Sequence, residues 1–190
     1  MISLLNAIKS SAASLAATLV MTALVMSPGS EIVAADYKLT GENTTIGFVG
    51  TKKEGSHAGG FKQVSGTFSA PEDLTKGKIS VTIVMDSVWS DDEKLTGHLK
   101  APDFFEVKRY PEAKFVSTAI AKTAEGYTVT GDLTLHGKTN SITFPAQIKS
   151  TGSGVELTSK FNLPRSQWGI TYGAGKIDEN VQMSLAVKAK

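Results

Sequence analysis

The sequence predicts a mainly β, antiparallel domain, either a closed barrel or a sandwich, carrying one short helical insertion. The first observation is the stretch from Gly126 to Ile148, GYTVTGDLTLHGKTNSITFPAQI. Tyr127, Val129, Leu133 and Leu135 share one phase, while Thr128, Thr130, Asp132, Thr134 and His136 share the other. Ile142, Phe144, Ala146 and Ile148 resume the alternation after His136-Gly137-Lys138-Thr139. A period of two places apolar side chains on one sheet face, and a glycine at the reversal supplies the backbone freedom of a hairpin. The second observation is that about eight or nine such runs occur, a number that suits a barrel or a sandwich, and a barrel leaves no edge strand exposed. The third is a single capped segment that breaks the pattern.

In chain order, the N-terminal residues 1–35 read as a secretory signal peptide. Lys9 is the only charge before Glu31, and Ser11 to Met26 is an uncharged, Ala- and Leu-rich run. About 16 residues make a helix of roughly 24 Å, short of a hydrocarbon core of about 30 Å. Val33, Ala34 and Ala35 offer a cleavage site, so that the mature domain is expected at 36–190 in the bacterial periplasm, with no stable membrane span after cleavage. The chain contains no cysteine, which excludes a disulfide framework and a lipid-modified N-terminal cysteine.

Strands are expected at Tyr37 to Thr40, Thr44 to Lys52, Val64 to Ala70 and Gly77 to Val84, and the Gly-rich GSHAGGF at residues 55–61 reads as a loop or sharply bent strand. Phe115 to Thr123, Val155 to Leu163 and Val181 to Lys190 complete the set with the hairpin. Ser90-Asp91-Asp92-Glu93 matches a capping box with Ser90 as N-cap, opening a helix that runs to about Lys100 and stops before Pro102. Leu95 and Leu99 lie on one face of it, and Asp103-Phe104-Phe105 follows, so the insertion is a candidate lid over one barrel end.

Little in the sequence speaks for catalysis or for a cofactor. His57, His98 and His136 match no metal-ligand spacing, G-x-S-x-G does not occur, and His57-Ala58-Gly59-Gly60 lacks the lysine of a phosphate loop. Asp91-Asp92-Glu93 is explained by helix capping. A formal net charge of +2 is too small and scattered for nucleic-acid binding. The remaining signal is apolar: eight Phe and two Trp, several of them on the inner phase. Such residues either fill a core or line a small-barrel interior wide enough for one slender ligand. Arg165, between Leu163 and Trp168, reads as a structural Arg pinning a loop, with a contact to a ligand headgroup as the alternative.

The series LTGHLKAPDFFEVKRYPEAKFVST, GYTVTGDLTLHGKTNSITF and FNLPRSQWGITYG, followed by VQMSLAVKA, resembles the YceI family of exported, lipocalin-like, polyisoprenoid-binding proteins. The resemblance spans most of residues 37 to 190, at His98, Leu99, Asp103, Phe104 and Phe105, at Leu133, Leu135, His136, Gly137 and Thr139, and at Arg165, Trp168 and Gly169. It implies an extended eight-stranded antiparallel barrel holding a long isoprenoid or related amphiphile, and it implies no catalytic residue.

The expected ligand-lining residues are Phe48, Phe68, Ile83, Phe104 and Phe105, then Phe115, Leu133, Leu135, Phe144 and Trp168, with Arg165 as a polar candidate. The expected function is an exported carrier or sequestering protein for a polyisoprenoid, quinone-like or other long amphiphile. Its rivals are an enzyme acting on a buried lipid through His98 or His136, and a stress-response interaction domain with a filled core. Monomer and homodimer are both left open.

Overall fold

Alternating runs of β-branched and aromatic residues become strands because each strand can bury one face against its neighbours. The computed structural model describes residues 35–151 and 153–190; the expected signal peptide, residues 1–35, lies outside the described residues except for Ala35. The strands are β1 (Ala35–Thr40), β2 (Thr44–Lys52), β3 (Gly55–Phe61), β4 (Val64–Ala70), β5 (Lys78–Val84) and β6 (Val88–Ser90). After helix α1 (Glu93–Leu99) come β7 (Glu112–Thr123), β8 (Gly126–Leu135), β9 (Lys138–Thr151), β10 (Gly154–Pro164) and β11 (Asn180–Ala189).

All pairings between strands are antiparallel, in the order β1-β4-β5-β7-β8-β9-β10-β11-β2-β3-β6. Eleven segments exceed the expected eight strands because three strands are interrupted by bends. β1 and β2, β3 and β4, and β5 and β6 are successive halves of three bent strands, broken at residues 41–43, 62–63 and 85–87. β4 pairs with β5 while β3 pairs with β6, so each bent strand keeps its partner through the bend. The curled sheet returns on itself where β11 pairs with β2.

The hairpin forms as its sequence requires. Leu135 faces Lys138, and His136 and Gly137 between them both have positive φ, 50° and 71°, the geometry of a two-residue type I′ turn. One local expectation is resolved and another corrected. Of the loop and the bent strand, GSHAGGF takes the strand: it forms β3, the first half of a bent strand, hydrogen-bonded to both β2 and β6. Its Gly59 lies opposite Phe48, where a side chain would collide with the Phe48 ring. The helix N-cap is Asp92, whose carboxylate accepts from the Leu95 N–H at 2.7 Å. Ser90 belongs to β6 instead, its hydroxyl donating to the Asp92 carbonyl at 2.7 Å.

The core is divided along the strands. Tyr37, Leu39, Phe68, Ile120, Val129, Phe144 and Val155 pack one end. Ile46, Ile83, Met85, Leu99, Phe104, Leu133, Leu135, Leu163 and Trp168 form a second cluster at the end carrying α1. Strand β8 contributes Val129 to the first and Leu133 and Leu135 to the second, which fixes their order along the barrel.

Candidate functional site

The α1 end encloses a cavity of about 380 Å³, within the range of small-molecule sites. Strand alternation supplies its walls: Ile46 and Phe48 from β2, Ile83 from β5, Leu133 and Leu135 from β8, Leu163 from β10, and Val181 and Met183 from β11. The roof comes from Leu95 and Leu99 of α1, from Phe104 and Phe105 after it, and from Ile170, Tyr172 and Ile177 of the segment between β10 and β11. Exposed Lys52, Asp92 and Tyr172, also lining residues, mark where the cavity opens to solvent.

Two imidazole–carboxylate pairs stand at that opening. His57 Nδ1 lies 2.8 Å from Asp91 Oδ1, and His98 Nε2 lies 2.9 Å from Asp103 Oδ2. The Ala58 N–H donates to the second Asp91 oxygen at 2.9 Å. That backbone donor, followed by the His57 ring, holds the Asp91 carboxyl below its ordinary value. The His98 ring meets Phe104 and Tyr172 edge-on, each at a centroid distance of 4.9 Å. Thus His57 and His98 line the cavity, both beside a carboxylate, whereas His136 lines neither this cavity nor the inner chamber described below. His136 holds the hairpin turn, its Nδ1 donating to the Trp168 carbonyl at 3.0 Å.

Arg165 lies in the cavity wall and is buried. Its Nε donates to the Asp178 carbonyl at 3.0 Å, Nη1 to Ile170 at 3.0 Å and Tyr172 at 2.8 Å, and Nη2 to Ile177 at 3.2 Å. Four carbonyl dipoles thereby replace the water that a buried guanidinium loses. The segment from Ile170 to Asp178 is folded around that one side chain, which is the loop-pinning role. Glu179 anchors the same segment: its carboxylate accepts from the Ser166 hydroxyl and from the Ser166 N–H, the latter at 3.1 Å. The Ser166 hydroxyl chiefly, then its N–H, and last the charge of Arg165 hold the Glu179 carboxyl below its ordinary value.

The expected lining residues divide into three groups. Phe48, Ile83, Phe104, Phe105, Leu133, Leu135 and Arg165 surround the large cavity. Phe68, Phe115 and Phe144 surround a separate inner chamber of about 100 Å³, to which Ile83 and Leu133 also contribute. Trp168 lines neither and so is not a wall residue: it is fully buried behind the wall, its Nε1 donating to the Leu133 carbonyl at 3.0 Å. Leu163, Val181 and Met183 also line the large cavity, on the inner phase of strands that the alternation reveals. Ile170, Tyr172 and Ile177 carry no such signal, because their placement depends on Arg165.

Known proteins share this architecture. The YceI-like domain matches residues 37–189. A UPF0312 protein of Pseudomonas putida strain W619 is 34% identical over 200 residues, covering 90% of this chain and 94% of that protein. A UPF0312 protein of Serratia proteamaculans strain 568 is 32% identical over 190 residues, covering 87% and 91%. Among solved structures, Burkholderia cenocepacia BcnA superposes with a TM-score of 0.70 at 27% identity, covering 77% of this chain and 96% of that one. A polyisoprenoid binding domain from Saccharophagus degradans, implicated in plant cell wall breakdown, has the same fold, with a TM-score of 0.65 at 16% identity over 83% and 98%. With its whole barrel matched by the domain and its relatives aligned over most of their length, the chain belongs to the YceI-like family.

Proposed function

We propose that this chain is an exported carrier or sequestering protein that buries the tail of a polyisoprenoid, quinone-like or other long amphiphile in its barrel. The carrying observation is the cavity of about 380 Å³, walled almost wholly by aliphatic and aromatic side chains and open at one polar rim. Apolar transfer drives binding at about 25 cal/mol per Å² buried, opposed by the cost of ordering a flexible tail. The wall leaves the tail no strong polar partner, and the rim offers donors and acceptors to a headgroup. A void of this size speaks for a carrier over a domain with a filled core. The ligand named for the Saccharophagus degradans domain fits the same chemistry. Export to the periplasm rests on the uncharged run Ser11 to Met26.

The test is native mass spectrometry of protein purified from its own host, followed by lipid extraction. The expected result is a mature chain starting at Asp36 with an amphiphile bound. Protein that is reproducibly empty and takes up no prenyl chain overturns the proposal.

An enzyme acting on the buried amphiphile is the second reading, favoured by the His98–Asp103 pair at the cavity opening. Prolonged incubation of a bound amphiphile distinguishes the two: a carrier returns it with its mass unchanged, and an enzyme does not.

A further inference from the structure

The interior of the barrel is partitioned. The large cavity and the inner chamber share five wall residues, Ile46, Ile83, Leu133, Leu163 and Met183. Strand register explains why these stand between the two. Met183 on β11 lies opposite Phe48 on β2, which lines the large cavity, and opposite Phe161 on β10, which lines the inner chamber. Ile46 repeats the arrangement, between Phe61 on the cavity side and Leu185 on the chamber side. Ile83 faces Ala113 of the cavity wall, and Leu133 faces Phe115 of the chamber wall. Together the five make a collar across the lumen.

The members of this collar differ in stiffness. Ile46 and Ile83 are β-branched and so restricted at χ1. With Leu133 and Leu163 they are nearly fully buried, at 7 to 9% exposure. Met183 is only partly buried, and its unbranched thioether has three rotatable bonds. Moving Met183 is therefore the least costly way to join the two spaces.

Resting on the carrier reading, we infer that Met183 is a gate that sets the length of tail the barrel accepts. A tail entering at the rim fills the space of about 380 Å³ until its end meets the collar. It continues into the chamber of about 100 Å³ only when the Met183 thioether swings aside. Each methylene buried before the collar raises affinity about fourfold. Beyond it, added carbons remain in water at the rim or must displace Met183, and the gain per carbon falls towards none.

The experiment is calorimetric titration of the full mature chain with a homologous series of straight-chain carboxylates, each below its micelle concentration. Affinity is expected to climb steeply with length and then break to a plateau. In Met183→Ala the break moves to longer chains, while Met183→Leu, which conserves volume, leaves it in place. Met183→Val, a milder shortening, replaces the alanine variant if that one does not fold. A steady rise through the longest soluble chain in the unaltered protein overturns the gate. So does a break that stays fixed in a folded Met183→Ala or Met183→Val protein. If neither the carboxylates nor a prenyl alcohol binds at all, the carrier reading fails, and the gate falls with it.

Discussion

The indole N–H of Trp168 donates to the backbone carbonyl of Leu133 at 3.0 Å, joining the turn after β10 to the strand that carries two cavity-wall leucines. The bond holds a fully buried Trp behind the cavity wall, where it supports the fold without forming part of that wall. Replacing it by Phe strands a buried carbonyl and removes ring volume. Trp168→Phe is expected to lower stability by about 2 to 4 kcal/mol. Chemical denaturation checks the loss, and uptake of a fluorescent prenyl probe checks the complementary expectation of unchanged affinity under native conditions.

Arg165 is expected to tolerate no conservative change. Lysine offers three donors on a point charge, without the fork that reaches four separate carbonyls. Arg165→Lys should cost at least about 2 kcal/mol in unfolding free energy. Hydrogen exchange should also quicken across Ile170 to Asp178, and protection equal to that of the unaltered protein there would rule out the pinning role.

Gly137 occupies the second position of the hairpin turn with φ of 71° and lies against the Tyr110 ring. A methyl group there meets the ring as well as the left-handed backbone penalty of roughly 1 to 2 kcal/mol. Gly137→Ala should therefore lose more stability than that penalty alone. Comparing its unfolding midpoint with that of Gly137→Ala in a Tyr110→Ala background separates the two contributions.

Acid should destabilise the fold. Asp73, held low first by the Thr75 hydroxyl, Asp91, held low first by the Ala58 N–H, and Glu179, held low first by the Ser166 hydroxyl, all have depressed carboxyl values in the folded state. Their contribution is full above the unfolded carboxylate range of about 4 and is lost as pH falls through the lower folded values. Denaturant midpoints measured from about pH 6 to about pH 3 should fall. Asp91→Asn and Glu179→Gln should each flatten that fall, and an unchanged slope in the double variant would show that other carboxylates govern it.

Narrowing the cavity should weaken uptake with little structural cost. Ala113 on β7 is buried, faces Ile83 and lines the large cavity. In Ala113→Phe the ring enters existing space, so the overpacking penalty of about 1 to 3 kcal/mol for a dense core should be largely avoided. Affinity for a prenyl probe should drop at least tenfold, about 1.4 kcal/mol. Undiminished affinity would place the tail elsewhere.

Much of this molecule is legible residue by residue. The alternation of Val129, Leu133 and Leu135 fixes both the strand and its inward face, because side chains on a pleated backbone must alternate. His136-Gly137 at the reversal specifies a tight turn. The helix near Leu95 and Leu99 follows from its acidic start and apolar spacing, although Asp92 rather than Ser90 caps it, since Ser90 is drawn into pairing with Gly59 across β6 and β3. Local preference leaves GSHAGGF between loop and bent strand: glycine is entropically unfavourable in a strand, and only pairing on both sides overrides that cost.

The sequence by itself determined the antiparallel class, the inward phase of the hairpin and of the strands around Phe48, Phe68 and Ile83, the family and most of the apolar set from Phe48 to Phe144. Those are matters of period and pattern, which short segments carry. Tertiary structure alone decided that the lumen is split by a collar at Met183, that Trp168 stands behind the wall, that Arg165 is satisfied by four carbonyls, and that His57 and His98 meet aspartates at the opening. The physical reason is that empty volume and hydrogen-bond satisfaction are properties of residues far apart in the chain. Phe48, Phe161 and Met183 become neighbours only through the registers of three strands.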